Sequence, residues 1–215
     1  MNLIAFDIET IPEELDSLSY IQRDILKTKI DSYLSRNPDK DKEKARNMLM
    51  ATNPYFGKIV CIGITQQFNS VIKSKGFTGP EDQLLRDFWD CIKDFSGIFV
   101  SFNGLGFDVP FIVTRSQKYD ISATNKTFLN LRRYSQIPHY DIMMWVANWD
   151  RYNAPSLRLL AEHLNVTSPK EGDVTAESVY DAFKEGNIKE IEEYCLRDTE
   201  ATLKIYNKIR KYTTR

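Results

Sequence analysis

Asp7 and Glu9 lie in Phe6-Asp7-Ile8-Glu9-Thr10, at the end of an apolar run over residues 3–8. Such a run reads as a β-strand ended by Pro12. Strand side chains alternate with a period of two, so both carboxylates point to one face. Unpaired charge on so apolar a strand is costly to bury, and such acids usually meet a cation or a metal. Oxygen ligands of this kind suit Mg²⁺ or Mn²⁺. The competing reading is an edge strand whose acids face water.

Further acids stand where elements begin. Asp108 closes Asn103-Gly104-Leu105-Gly106-Phe107-Asp108, between an apolar strand at 97–102 and a helix expected over 110–119. The glycines allow a tight turn, and Pro110 suits the first turn of a helix. Asp108 reads as a helix N-cap or as a ligand. Asp198 lies on a long final helix expected over 187–212, with Tyr194 one turn earlier on the same face. Asp141 precedes a helix carrying Met144, Trp145 and Trp149 and reads as its cap. His139 and His163 have no partner at metal-ligand or triad spacing and read as structural or surface residues.

The remaining elements must position these acids. Residues 13–56 are highly charged, with Leu15, Leu18, Ile21 and Ile25 at helical spacing, a break at 36–40 and a second helix near 42–50. They read as a helical hairpin inserted between two strands, either surface decoration or a lid over the site. Strands at 58–66 and 70–77 form a hairpin. A helix over 81–95 presents Leu84, Leu85, Phe88, Trp89 and Ile92. The polar stretch 120–136 holds Arg132-Arg133, a phosphate contact or a solvated loop. A short fifth strand at 138–141 and helices at 156–164 and 174–184 follow, with Lys170 in the loop between the helices. The basic stripe Lys204, Lys208, Lys211 and Arg215 reads as compensation of a helix dipole.

A chain of 215 residues holds one domain, 1–215, with a full core. Hydrophobic residues at 42% and charged residues at 27% are those of a soluble globular protein. A net charge of −1 excludes a strongly basic nucleic-acid coat, though an enzyme that grips a strand end needs only a local patch and bound metal. Cys61, Cys91 and Cys195 are far apart with no CxxC, so neither a disulfide framework nor a zinc cluster is expected, and a reducing cytoplasm is the natural setting. Neither a signal peptide nor a membrane span is expected.

In an α/β sheet of order 3-2-1-4-5, strands one and four are neighbours and the final helix can pack across them. Asp7, Glu9, Asp108 and Asp198 would then converge, and their repulsion calls for the positive charge of two divalent ions. Two such ions, about 3.5–4 Å apart, activate a water and stabilise the leaving oxygen in phosphodiester cleavage. Asp7 would bridge both, Glu9 and Asp198 complete one, and Asp108 the other. Tyr194, with an ordinary phenol pKa of about 10, suits orienting the water rather than deprotonating it.

These segments resemble a known family. The FDIET stretch, the FNGLGFD stretch and the Tyr194-x-x-x-Asp198 spacing are similar to the three exonuclease motifs of the DEDD superfamily, in its tyrosine variant (DEDDy). The likeness is to the 3′–5′ proofreading domain of family-B DNA polymerases and its stand-alone relatives, over nearly the whole chain. The histidine variant would need His five residues before Asp198, where this chain has Glu193. The resemblance implies a ribonuclease H-like fold and two-metal hydrolysis of a nucleic acid from its 3′ end, with release of nucleoside monophosphates. It maps Asp7, Glu9, Asp108 and Asp198 onto metal ligands and Tyr194 onto the water-orienting tyrosine. By the same likeness Thr10, Ile11, Asn103 and Phe107 would hold the terminal nucleotide, and Lys170 would touch phosphate. Replication or repair proteins are the partners it implies.

The sequence departs from the family at the long insertion, and no polymerase domain is expected with it. Single-stranded DNA is the expected substrate. The alternatives are an RNA-directed exonuclease and, with all four acids and the tyrosine present weighing against it, a non-catalytic binding module on the same fold.

Overall fold

The computed structural model describes residues 2–166, 175 and 178–212. The chain runs β1 (Asn2–Pro12), α1 (Tyr20–Arg36), α2 (Lys42–Ala51), β2 (Gly57–Phe68), β3 (Val71–Thr78), α3 (Glu81–Ile92) and β4 (Ile98–Ser101). It continues α4 (Asp108–Lys118), β5 (His139–Asp141), α5 (Ile142–Val146), α6 (Leu157–His163), α7 (Val179–Lys184) and α8 (Ile188–Ile209). The five strands form one mixed sheet in the order β3-β2-β1-β4-β5. β1, β2 and β3 pair antiparallel, whereas β4 is parallel to β1 and β5 is parallel to β4.

The alternation of β1 divides the core in two. Ile4, Phe6 and Ile8 face a cluster with Phe88, Trp89, Phe111 and Phe128, from α3, α4 and the segment after α4. Leu3 and Ala5 face the other way, against Leu160 of α6 and Leu203, Ile205 and Tyr206 of α8. Asp7 and Glu9 share the parity of Leu3 and Ala5, and α8 lies against this part of the sheet. Ile11, on the same parity, packs with Val60, Val179, Ile191 and Tyr194. Burial of this many large aliphatic and aromatic groups, at about 25 cal/mol per Å², is what holds the layers together.

The insertion is a helical hairpin with a core of its own, formed by Leu18, Leu26, Ile30, Met50 and Phe56. Its buried stripe differs from the expected one. Leu15 lies in a short 3₁₀ turn, and Ile21 and Ile25 are 68% and 45% exposed, while Leu26 and Ile30 face inward. A capping box at Ser19 and Gln22 starts α1 at Tyr20, and packing of Leu26 and Ile30 against Met50 and Phe56 decides which face turns inward. The hairpin is tied to β1 by Thr10 Oγ1 donating to Ala51 O at 2.7 Å, and its two ends are closed by Glu13 N donating to Phe56 O at 2.9 Å. Among the described residues, no helix is long and apolar enough to cross a membrane.

Candidate active site

The acid-bearing strand is held open where the acids stand. β4 pairs with β1 only at Leu3, Ile4 and Ala5, so the N–H of Ile8 lies beyond that ladder. Asp108 fills the vacancy, its Oδ1 accepting from Ile8 N at 3.1 Å. The carboxylate is therefore not the cap of α4. It is the first helical residue, Phe107 occupies the N-cap position, and Asp108 reaches across to the backbone between the two strand acids.

The turn that delivers Asp108 is tight, as the glycines allow: a Cβ on Gly104 would run into the Ser101 side chain. Its left-handed residue is Asn103, with φ of 68°. Asn tolerates that region better than most residues. Asp141 holds the turn: its Oδ1 accepts from Asn103 N and its Oδ2 from Leu105 N, both at 3.0 Å, while Oδ1 also caps α5 through Met144 N. Asp141 is a cap, as the sequence indicates, and in addition the brace of the 103–107 turn. The sequence carries no signal for this second role, because the bonded backbone lies 36 and 38 residues away.

α8 brings the last pair. Gly63 stands opposite Asp7 on β2, and a Cβ there would lie 2.8 Å from Cys195 Sγ, so this glycine lets the helix approach the sheet. Cys195 Sγ lies 3.5 Å from Asp7 O and 3.7 Å from Asp7 Oδ2. Thr65 and Thr199 bond through their hydroxyls at 2.7 Å and fix the rotation of the helix. Tyr194 and Asp198, at i and i+4, then face Asp7 and Glu9 and interact with each other.

The electrostatics follow from this crowding. Burial, then Asp108, Glu9 and Asp198, push the Asp7 carboxyl well above the usual carboxylate range. Burial, then Asp198, does the same to Glu9, against a hydrogen bond with Asp7. Asp108 is raised to about 7, chiefly by burial and partly by Asp141, against the bonds it accepts from the backbone. Tyr194 is pushed far up by burial and by Asp198, Glu9 and Asp7, so its phenol keeps its proton. Among the described residues, no ion pair engages Asp7, Glu9 or Asp108.

This donor set fits hard divalent cations. It offers carboxylate oxygens from β1, α4 and α8, crowded so that each raises the proton affinity of the next, which is the condition an added positive charge relieves. Asp7, Glu9 and Cys195 also place their ligand atoms within 4.8 Å of one another, a thiol the sequence reading left unassigned.

The residues expected to hold a nucleotide are distributed unevenly. Asn103 is half-buried beside the acids, with its Oδ1 accepting from Arg151 Nη2 at 3.3 Å, and Phe107 packs its ring against Phe111. The hydroxyl of Thr10 is engaged by the insertion, and Ile11 is buried in the core. Lys170 lies outside the described residues. His139 is a buried core residue bonded through Nε2 to Phe128 O, and His163 is exposed.

Sheet order and converging acids define a nuclease-type α/β fold, and the comparisons agree. Residues 53–215 match the model of a family described as predicted 3′-5′ exonucleases related to the exonuclease domain of PolB. The chain belongs to that family. The match begins in the last residues of the insertion, so Asp7 and Glu9 come from outside it. The fold is similar to that of the family B DNA polymerase from the hyperthermophilic archaeon Pyrobaculum calidifontis, at a TM-score of 0.64 and 18% identity. The superposition covers 98% of this chain and 25% of the polymerase, so the chain spans about a quarter of that protein. No curated protein matches the chain.

Proposed function

We propose that the chain is a two-metal-ion 3′–5′ exonuclease of the tyrosine DEDD type, which shortens single-stranded DNA and releases nucleoside 5′-monophosphates. The observation that carries this reading is the convergence of Asp7, Glu9, Asp108 and Asp198 from three elements into one crowded, mutually repelling group, in which Glu9 and Asp108 are buried and Asp7 and Asp198 half-buried. Asp7, Glu9, Asp108 and Asp198 would hold two Mg²⁺ or Mn²⁺ ions, which supply the Lewis acidity and positive charge that phosphodiester hydrolysis needs.

The protein's own groups do the rest. Tyr194 stays protonated and presents a fixed O–H donor beside Asp198, which orients an attacking water and cannot act as its base. Asp141 keeps the 103–107 turn rigid, so Asn103 and Asp108 hold their places relative to β1. The insertion, anchored on Thr10 of the acid strand, stands beside that strand as a clamp on the approach to the site. Lys170 is assigned to phosphate by family likeness alone. Three free cysteines fit a reducing cytoplasm.

The test is degradation of 5′-labelled single strands of DNA and RNA with Mg²⁺, Mn²⁺ or EDTA, beside Asp7→Ala. A metal-dependent ladder shortening from the 3′ end of DNA, absent in Asp7→Ala, is the expected result. A ladder on RNA alone would move the substrate to RNA, where the 2′-hydroxyl marks the difference. Cleavage of neither would overturn the reading.

A further inference from the structure

We propose that the surface around residues 131–152 is a docking track for the single strand behind its 3′ end, in which arginines hold phosphates and aromatic faces stack bases. The proposal rests on the exonuclease reading and says where the rest of the substrate lies.

The charge is local. Residues 121–158 carry five lysines and arginines against two aspartates, in a chain whose net charge is −1. One of those aspartates, Asp141, is buried and occupied by backbone N–H groups. Arg132, Arg133 and Arg151 are exposed, and no ion pair engages them among the described residues.

The same surface displays large rings. Tyr134 is 72% exposed and Tyr152 is fully exposed. Tyr134 and Trp149 sit ring to ring, with centroids 4.8 Å apart and planes tilted by 50°. Both take positive φ, 61° and 63°, which bulky residues rarely adopt. The turn that imposes this on Trp149 is closed by its N–H donating to Met144 O at 2.7 Å. Backbone strain of this kind, spent on holding rings outward, points to use of the rings.

The track joins the acid site. Arg151 donates to Asn103, and Asp141 ties the 103–105 backbone to the start of α5, six residues before Asn148. Arginines with interleaved aromatic faces are the chemistry of sequence-tolerant single-strand binding, with phosphates on guanidinium groups and bases on rings. An acidic peptide would use the arginines and leave the paired rings without a role.

The experiment measures binding of 5′-fluorescein oligothymidylates of 4 and 16 nucleotides by anisotropy in Mg²⁺. The parent is the full chain carrying Asp7→Ala, so that the strand survives. Tyr152→Ala, Tyr134→Ala and Arg133→Gln are added singly, and thermal melting checks that each is folded. The parent is expected to bind the 16-mer more tightly than the 4-mer. Each aromatic variant should weaken the 16-mer about 5–10-fold and shift the 4-mer less than about 2-fold, the low end of the stacking range for exposed rings. Arg133→Gln should lower the salt slope by about one. Unchanged 16-mer affinity in all three variants, or no length dependence in the parent, overturns the track. Cleavage of the strand by the protein with Asp7 intact then shows that the exonuclease reading survives without it. A length-dependent loss in the variants with no cleavage by that protein supports the track and removes the exonuclease.

Discussion

Glu13, just past the end of β1, and Asp7 and Glu9, further back on the same strand, are placed in opposite company. Glu13 meets Arg115 at 2.6 Å and also Lys118, and Arg115 in turn takes a second carboxylate, Glu81, through its Nε at 2.8 Å. Glu81 is filled completely, accepting also from Ile59 N and Tyr119 Oη. Against the cost of burial, hydrogen bonds from Lys118 and Arg115 hold Glu13 below the usual carboxylate range. Asp7 and Glu9 meet Asp108 and Asp198, and burial and repulsion hold them well above it.

Buried charge is tolerated where its counter-charge is built in, and it stores cost where it is not. The Arg115 group joins β2, α3 and α4 to the start of the insertion, and it closes on itself with every partner supplied by the chain. Among the described residues no ion pair engages Asp7, Glu9 or Asp108, and under the proposed function a divalent cation supplies the opposing charge. Their difference separates a closed structural device from the candidate cation site.

Neutralising a member of each group should therefore act in opposite directions. Asp7→Asn should reduce metal-dependent hydrolysis on the order of 10³-fold, the scale of losing several kcal/mol of charge stabilisation. The same variant should melt higher than wild type in EDTA, as one of four crowded, mutually repelling carboxyls is removed. A fall in metal-free stability would break the contrast. Arg115→Ala should cost about 3–5 kcal/mol in denaturant unfolding, because it strands the buried Glu81 and leaves the half-buried Glu13 with Lys118 alone. Activity per folded molecule should change little, and a selective loss of activity would show that the two groups are coupled.

The pH dependence sharpens the comparison. Asp108 has a carboxyl raised from 3.8 to about 7, so its protonated form is favoured by the fold. That contribution is full below about pH 4 and is lost as pH rises through about 7. In EDTA, the stability of Asp108→Asn relative to wild type should rise across this window, as read from urea midpoints at several pH values. Saturating Mg²⁺ should flatten the difference. A difference that ran the other way would mean that Asp108 is compensated like Glu13. The smallest effect is expected from Tyr194→Phe, about 10–100-fold in turnover with metal affinity unchanged, since a misplaced water costs orientation and leaves the acids in place. Isothermal titration with Mn²⁺ beside turnover distinguishes that from loss of a ligand.

Much of the site was legible because it is set by local periodicity. A two-residue repeat puts Asp7 and Glu9 on one face of β1, and an i, i+4 spacing puts Tyr194 beside Asp198 on α8, whatever the rest of the chain does. The run of apolar and charged segments likewise marks the five strands, the inserted hairpin and the long last helix. What the sequence left open depends on contacts between distant residues. Of Leu15, Leu18, Ile21 and Ile25 only Leu18 turns inward, because the inward face of α1 is chosen by the packing of Leu26 and Ile30 on Met50 and Phe56. Asn103 takes the left-handed position of the turn, held there by Asp141 from 38 residues away. The partnership of Arg115 with Glu13 spans 102 residues, and that of Cys195 with Asp7 spans 188. Side-chain direction along an element is written in its own residues. Which charge another charge meets is decided only when the sheet order brings the elements together.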